Sequence, residues 1–160
     1  MSKINAAVIG VGYLGQYHAQ KYAESNHAEL VAIFDTDAKR AEEIADRLHT
    51  TPVAHYQELV DKVTAVSIAT PTPFHYEVAL FFLKNGIHVL IEKPITTTLE
   101  QADELIKVAR ENNALLQVGH LERLNNAVKS ISPYLTHPRY IESLRTATFQ
   151  LRGTDVNVIL

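Results

Sequence analysis

Two short stretches of this chain have residue types and spacings that suit chemistry better than packing. The first is Gly10-Val11-Gly12-Tyr13-Leu14-Gly15, a G-x-G-x-x-G run, with Asp35 placed 20 residues after its last glycine. Alone such a run is weak. Here it directly follows an apolar segment and opens a helical pattern, and an acid closes the next apolar segment, which is the context that binds a dinucleotide. Gly10 permits the tight turn, Gly12 lets the backbone approach a pyrophosphate, and Gly15 lets helix and strand pack closely. The backbone at Tyr13, Leu14 and Gly15 then starts a helix whose N–H groups and partial positive charge face the phosphates. Asp35 would accept hydrogen bonds from the adenosine ribose and repel a 2′-phosphate, which favours NAD over NADP. Lys39 and Arg40 offer the opposite reading, as cations for that phosphate, and equally fit a solvated helix face. A tight strand-to-helix turn without a ligand, and a methyltransferase loop, remain alternatives for the glycines.

The second stretch is Glu92-Lys93-Pro94, closing a later apolar run, with Thr70-Pro71-Thr72-Pro73-Phe74-His75 closing another. Open α/β sheets bind ligands at the carboxyl ends of their strands. A lysine beside a nicotinamide could hydrogen-bond a substrate oxygen and assist its proton transfer. The plain alternative is a surface Glu92–Lys93 pair of little consequence.

These residues need elements to hold them. Apolar runs at residues 4–9, 29–34, 65–69, 87–91 and 115–118, with a weaker one around Val53, read as strands buried on both faces. Helical patterns lie between them. One runs from Leu14 to Glu24. Residues 38–48 follow Asp37 as N-cap. Residues 73–84 start at Thr72-Pro73 and stop at Asn85-Gly86. Residues 99–112 start from Thr98 and Gln101, with Leu99, Ala102, Leu105, Ile106 and Ala109 as the buried stripe. Alternation of this kind predicts a doubly wound parallel α/β sheet, a Rossmann fold.

Beyond about residue 123 the pattern changes. Asn125 to Leu135 reads as a helix and Tyr140 to Leu151 as a long strand, followed by the apolar end Val156 to Leu160. A lone strand of that length cannot satisfy its backbone. The expectation is a dinucleotide-binding domain over residues 1–122, then the truncated start of an α+β substrate and oligomerisation domain over 123–160.

The 160 residues carry 46% hydrophobic and 21% charged residues, a net charge of −3 and no cysteine. This excludes disorder and a disulfide or thiolate–metal scaffold, and gives no electrostatic case for nucleic acid. No apolar run is long enough for a membrane helix. The start of the chain makes a poor secretory signal, so a cytoplasmic protein is expected. The histidines show no metal-ligand spacing, and His18 reads as an ordinary packed or exposed helix residue.

The glycine run, Asp35, Thr70-Pro71-Thr72 with His75, and Glu92-Lys93-Pro94 together resemble the Gfo/Idh/MocA oxidoreductases, the glucose–fructose oxidoreductase and inositol dehydrogenase family. The resemblance covers about residues 3–130, and Glu-Lys-Pro at that distance from the glycines is its most specific part. It implies a Rossmann domain followed by an α/β domain whose open sheet binds substrate and often builds oligomers. It implies Lys93 as the active-site lysine, with Thr70, Pro71, His75 and Glu92 beside the cofactor. Gly119-His120-Leu121-Glu122-Arg123 resembles the segment that places an arginine, here Arg123, near the nicotinamide. Asn126 stands where many members have proline, and the family's downstream Asp/His pair has no match before Leu160. The expected function is NAD(P)-dependent hydride transfer to or from a carbinol or carbonyl carbon of a small polar sugar or cyclitol. These 160 residues are expected to bind cofactor without turnover. The alternative class is a non-catalytic NAD-binding sensor or regulatory module, which needs no Lys93.

Overall fold

The computed structural model describes residues 3–144 and 146. The chain divides into two compact units, one ending at Gly119 and one starting at His120; the sequence expectation put that division at 122/123.

In the first unit, six strands form one parallel sheet: β1 (Ile4–Ile9), β2 (Ala28–Phe34), β3 (Thr51–Pro52), β4 (Ala65–Ile68), β5 (His88–Ile91) and β6 (Leu116–Val118). Their order across the sheet is β3-β2-β1-β4-β5-β6, so the chain reverses direction between β1 and β4. This is the doubly wound order built from two mononucleotide-binding halves. Four helices connect the strands: α1 (Gly15–Ala23), α2 (Ala38–Leu48), α3 (His75–Lys84) and α4 (Leu99–Glu111). Strand alternation sends β1 side chains to two separate cores. Val8 packs with Val11, Ala19, Leu30, Ile33 and Ile44 under α1 and α2. Ala7 and Ile9 pack with Val66, Ile68, Phe82, Leu83, Ile91 and Leu105 under α3 and α4. Both faces of the central strands are therefore apolar, which is why those runs read as continuous.

The caps fall where the sequence put them. The Asp37 carboxylate accepts from Arg40 N at the start of α2, and the Thr98 hydroxyl accepts from Gln101 N at the start of α4. Gly86 ends α3 with φ at 72°. Two expectations need correction. Thr72–Phe74 forms a separate 3-10 turn, and α3 starts only at His75. On α4 the buried face follows Leu105, Val108 and Ala109, leaving Leu99 and Ile106 exposed. At about 100° per residue, Ile106 is turned off the face centred on Leu105, and Val108 takes its place.

In the second unit, α5 (Asn126–Ile131) is capped by Asn125 and flanked by 3-10 turns at Leu121–Leu124 and Ser132–Tyr134. Its described residues contribute no buried side chain. Residues 140–144 are not in a strand; the rest of the strand expected there, and the apolar end at 156–160, lie outside the described residues apart from Thr146. Among the described residues no helix is long and apolar enough to cross a membrane.

Candidate functional site

The glycine turn joins β1 to α1 at the point where the sheet order reverses. Gly10 has φ at 85°, and a Cβ there would lie 2.9 Å from Thr70 N at the end of β4. A Cβ on Gly15 would overlap the Gly10 carbonyl oxygen and come within 3.3 Å of Ala69 Cβ. Both glycines are therefore demanded by the fold. Gly12 differs: a Cβ there would meet nothing within 4 Å. Among the described residues nothing requires that position to be bare, whereas a pyrophosphate approaching the backbone would. No side chain caps α1, and its first turn carries no acid, so its N-terminus remains open to an anion. Tyr13 and Leu14 are exposed beside it, with Tyr13 edge-on to Tyr17 at 5.7 Å.

Asp35 follows β2, and its carboxylate is held from four directions. Oδ2 accepts from Val11 N at 2.8 Å and from Arg40 Nε at 3.2 Å. Oδ1 accepts from Asp37 N at 2.9 Å and from Arg40 Nη2 at 2.8 Å. Burial pushes the carboxyl up, but the bonds from Arg40 and from the Asp37 and Val11 backbone outweigh it and hold it below its ordinary value. Arg40 is thus not a plain solvated residue. It forms a bidentate pair with the acid that was expected to read the ribose, and ribose hydroxyls can reach Asp35 only if that pair loosens.

A cleft of ≈ 580 Å³ opens between these parts. Gly10 and Gly12 form its floor, Phe34, Asp35 and Arg40 one wall, and Thr70, Pro71 and Phe74 the other. Thr70 Oγ1 is buried beside the cleft without a hydrogen-bond partner among the described residues. His75 is buried between the loops after β4 and β5. Its ring is 1% exposed, with Nε2 2.8 Å from Thr70 O and Nδ1 2.9 Å from Pro94 O. It lies between two loops and does not line the cleft.

At the end of β5, Glu92 and Lys93 part company. Glu92 is buried, with Oε1 2.9 Å from His18 Nε2 on α1. Lys93 is exposed, forms no ion pair among the described residues, and precedes a cis peptide to Pro94. The surface Glu92–Lys93 pair considered as an alternative is therefore absent. Arg123 lies in the second unit, on its first 3-10 turn.

Sequence reasoning passed over several residues here. Arg40 was weighed only as a phosphate ligand or a solvated cation. Tyr56, whose hydroxyl is pushed up by burial and by its hydrogen-bond partner Glu77, lines the cleft with that glutamate. His18, Ser67 and Tyr22 form a part-buried polar chain with Glu92. The one signal for that chain was Ser67, the polar residue that interrupts the β4 run Ala65-Val66-Ser67-Ile68.

Comparison with known proteins agrees with this geometry. The family model described as "Oxidoreductase family, NAD-binding Rossmann fold" matches residues 4–120. UDP-N-acetylglucosamine 3-dehydrogenase of Acidithiobacillus ferrooxidans is 41% identical over 161 residues, spanning 100% of this chain and 51% of that protein. A solved structure of that enzyme superposes with a TM-score of 0.79 over 84% of this chain and 44% of its own. The scyllo-inositol 2-dehydrogenase (NAD(+)) of Bacillus subtilis is 33% identical, spanning 78% of this chain and 38% of that enzyme. Biliverdin reductase of Synechocystis sp. PCC 6803, solved with biliverdin and NADP+, is 27% identical with a TM-score of 0.77 over 84% of this chain and 43% of its own. The chain thus spans about half the length, or less, of the relatives it matches. With a six-stranded sheet in dinucleotide-binding order and the family model covering residues 4–120, the chain belongs to the Gfo/Idh/MocA oxidoreductase family.

Proposed function

We propose that this chain is the cofactor-binding part of an NAD-dependent oxidoreductase acting on a hydroxyl-bearing or carbonyl carbon of a small polar molecule of the sugar or cyclitol type. The observation that carries the reading is the open space above Gly12, at the mouth of a cleft walled by Asp35. When bound, the nicotinamide supplies the hydride acceptor or donor. The protein's own groups do the rest. The Gly12 backbone and the N-terminus of α1 take the phosphates. Lys93, at the end of β5 in the second mononucleotide half, hydrogen-bonds the substrate oxygen and helps move its proton. The names of the relatives, two of them dehydrogenases of a nucleotide sugar and of an inositol, support the substrate class. Residues after 119 are proposed to begin the substrate domain, with Arg123 near the nicotinamide, and homo-oligomers are proposed to form through that domain.

The Arg40–Asp35 pair favours a second reading for the cofactor. A guanidinium already at the ribose-reading acid offsets its charge and so weakens the argument against a 2′-phosphate. Titration with NAD and NADP, followed by thermal shift, separates the two, because a ligand binding only the folded state raises the melting temperature. Stabilisation by NAD at lower concentration than NADP, with Asp35→Ala erasing the difference, supports the first reading. Preference for NADP that disappears in Arg40→Ala supports the second. Stabilisation by neither would end both. In the whole protein, Lys93→Ala is expected to abolish turnover and keep cofactor binding; unaltered turnover would favour a sensor.

A further inference from the structure

Glu92 is buried beside the exposed Lys93, and its carboxylate is met from across the sheet by a helix residue. His18 Nε2 lies 2.9 Å from Glu92 Oε1, and His18 Nδ1 lies 3.3 Å from Ser67 Oγ. Ser67 Oγ is in turn 2.7 Å from the Tyr22 hydroxyl. Ser67 is 0% exposed and Glu92 6%. A carboxylate only accepts, so Nε2 carries the proton. In the neutral ring Nδ1 is then an acceptor, which the Ser67 hydroxyl serves, while the Tyr22 hydroxyl donates to Ser67 Oγ. With the ring charged, the Ser67 and Tyr22 bonds run the other way, and in either state the proton on Nε2 goes to Glu92. Gly119 closes the other side, since a Cβ there would lie 3.0 Å from Glu92 Oε1.

We propose that His18 is a positioning residue of the cofactor site, which sets the Glu92-Lys93-Pro94 turn by clamping Glu92 and so fixes Lys93 relative to helix α1. The inference rests on the dinucleotide reading above. Helix α1 starts at the phosphate-binding turn, in the half of the sheet formed by β1, β2 and β3. Lys93 stands at the end of β5, in the half formed by β4, β5 and β6. A dinucleotide spans both halves. Where its nicotinamide meets Lys93 therefore depends on how firmly the two halves are joined, and the His18–Glu92 bond joins them through side chains at the carboxyl edge.

The test uses the whole 160-residue chain with ADP and NADH as probes. ADP reaches only the phosphate turn and the Asp35 side of the cleft; NADH reaches both halves. His18→Leu removes the bond, whereas His18→Gln keeps an N–H donor and a carbonyl acceptor. In His18→Leu, NADH affinity is expected to fall roughly tenfold, the loss of a charge-assisted hydrogen bond. ADP affinity should stay within about twofold, and His18→Gln should recover most of the NADH loss. A loosened fold would weaken both probes together, and that result, like an unchanged NADH affinity, would overturn the proposal. The ring state gives a separate readout that needs no variant. Long-range 1H–15N spectra of histidine-labelled protein should show His18 with its proton on Nε2, and Ser67→Ala should disturb that signal. A proton on Nδ1 alone would refute the hydrogen-bond chain. If the wild type binds neither probe, the dinucleotide reading falls and this inference with it. If the wild type binds both and His18→Leu behaves identically, only this inference falls.

Discussion

Among single residues, the three glycines of the turn separate folding from binding. Gly10 and Gly15 are bare because neighbouring backbone occupies the place of a Cβ; Gly12 is bare with open space around it. Gly15→Ala should destabilise the protein by about 3 kcal/mol or more, as overpacking against backbone does. Gly12→Ala should leave stability within about 0.5 kcal/mol, as at an unhindered surface site, yet abolish the thermal shift produced by NAD. Urea unfolding of both variants, with and without NAD, checks this; a stable Gly12→Ala that still binds NAD would remove the phosphate role of the turn. The pattern of the three glycines was legible in the sequence. Which of them serves the fold and which the ligand was not, because that depends on how the turn folds back, with Gly15 against the Gly10 carbonyl and Gly10 against Thr70 and Ala69 at the end of β4.

The elements meet at their carboxyl ends, and His75 shows how. Its two ring nitrogens lie 2.9 Å from Pro94 O and 2.8 Å from Thr70 O, and a nitrogen that carries a proton ties the start of α3 to the loop whose carbonyl it meets. A carbonyl left buried without its partner costs about 1–3 kcal/mol. His75→Leu, which fills similar space without an N–H, should therefore lower stability by about 2 kcal/mol or more and weaken NAD binding through Thr70 and Pro71. Retained stability and affinity would show that the loops hold themselves. The family resemblance implied His75 as a site residue, but not its orientation. Strand ends and helix caps were legible because they depend on neighbours within four residues. The Glu92–His18 contact was not, since it joins residues 74 apart and each alone has a commonplace explanation. The α4 stripe failed for a related reason: periodicity gives a face, and only the packing partner fixes where its centre lies.

For the whole molecule, the Asp35 carboxylate links the sheet to the start of α2 and to the glycine turn, so its ionisation bears on global stability. Its folded pKa lies below the ordinary 3.8. The ionised form is therefore the one stabilised by folding, and its contribution is complete above about pH 5 and declines as pH falls through the folded value. Asp35→Asn should be less stable than the wild type by about 2 kcal/mol near pH 7, with the gap narrowing below pH 4 as the wild-type carboxylate takes up its proton. Urea midpoints measured from pH 7 to 3 test this; a constant gap would mean that the charge of Asp35 contributes nothing. The doubly wound topology itself was readable from the alternation of apolar runs and caps, because a sheet covered on both faces leaves little choice of residue in its central strands.

Ser67 breaks that apolar rule inside β4, and the exception restrains sliding. A helix lying on a smooth hydrocarbon surface can slip by one turn, about 5.4 Å, with modest loss of contact. Such a slip would carry the N-terminus of α1 off any phosphate it held. One hydroxyl in the sheet, engaging His18 and Tyr22 four residues apart on the helix, converts that smooth surface into a notch with a single seat.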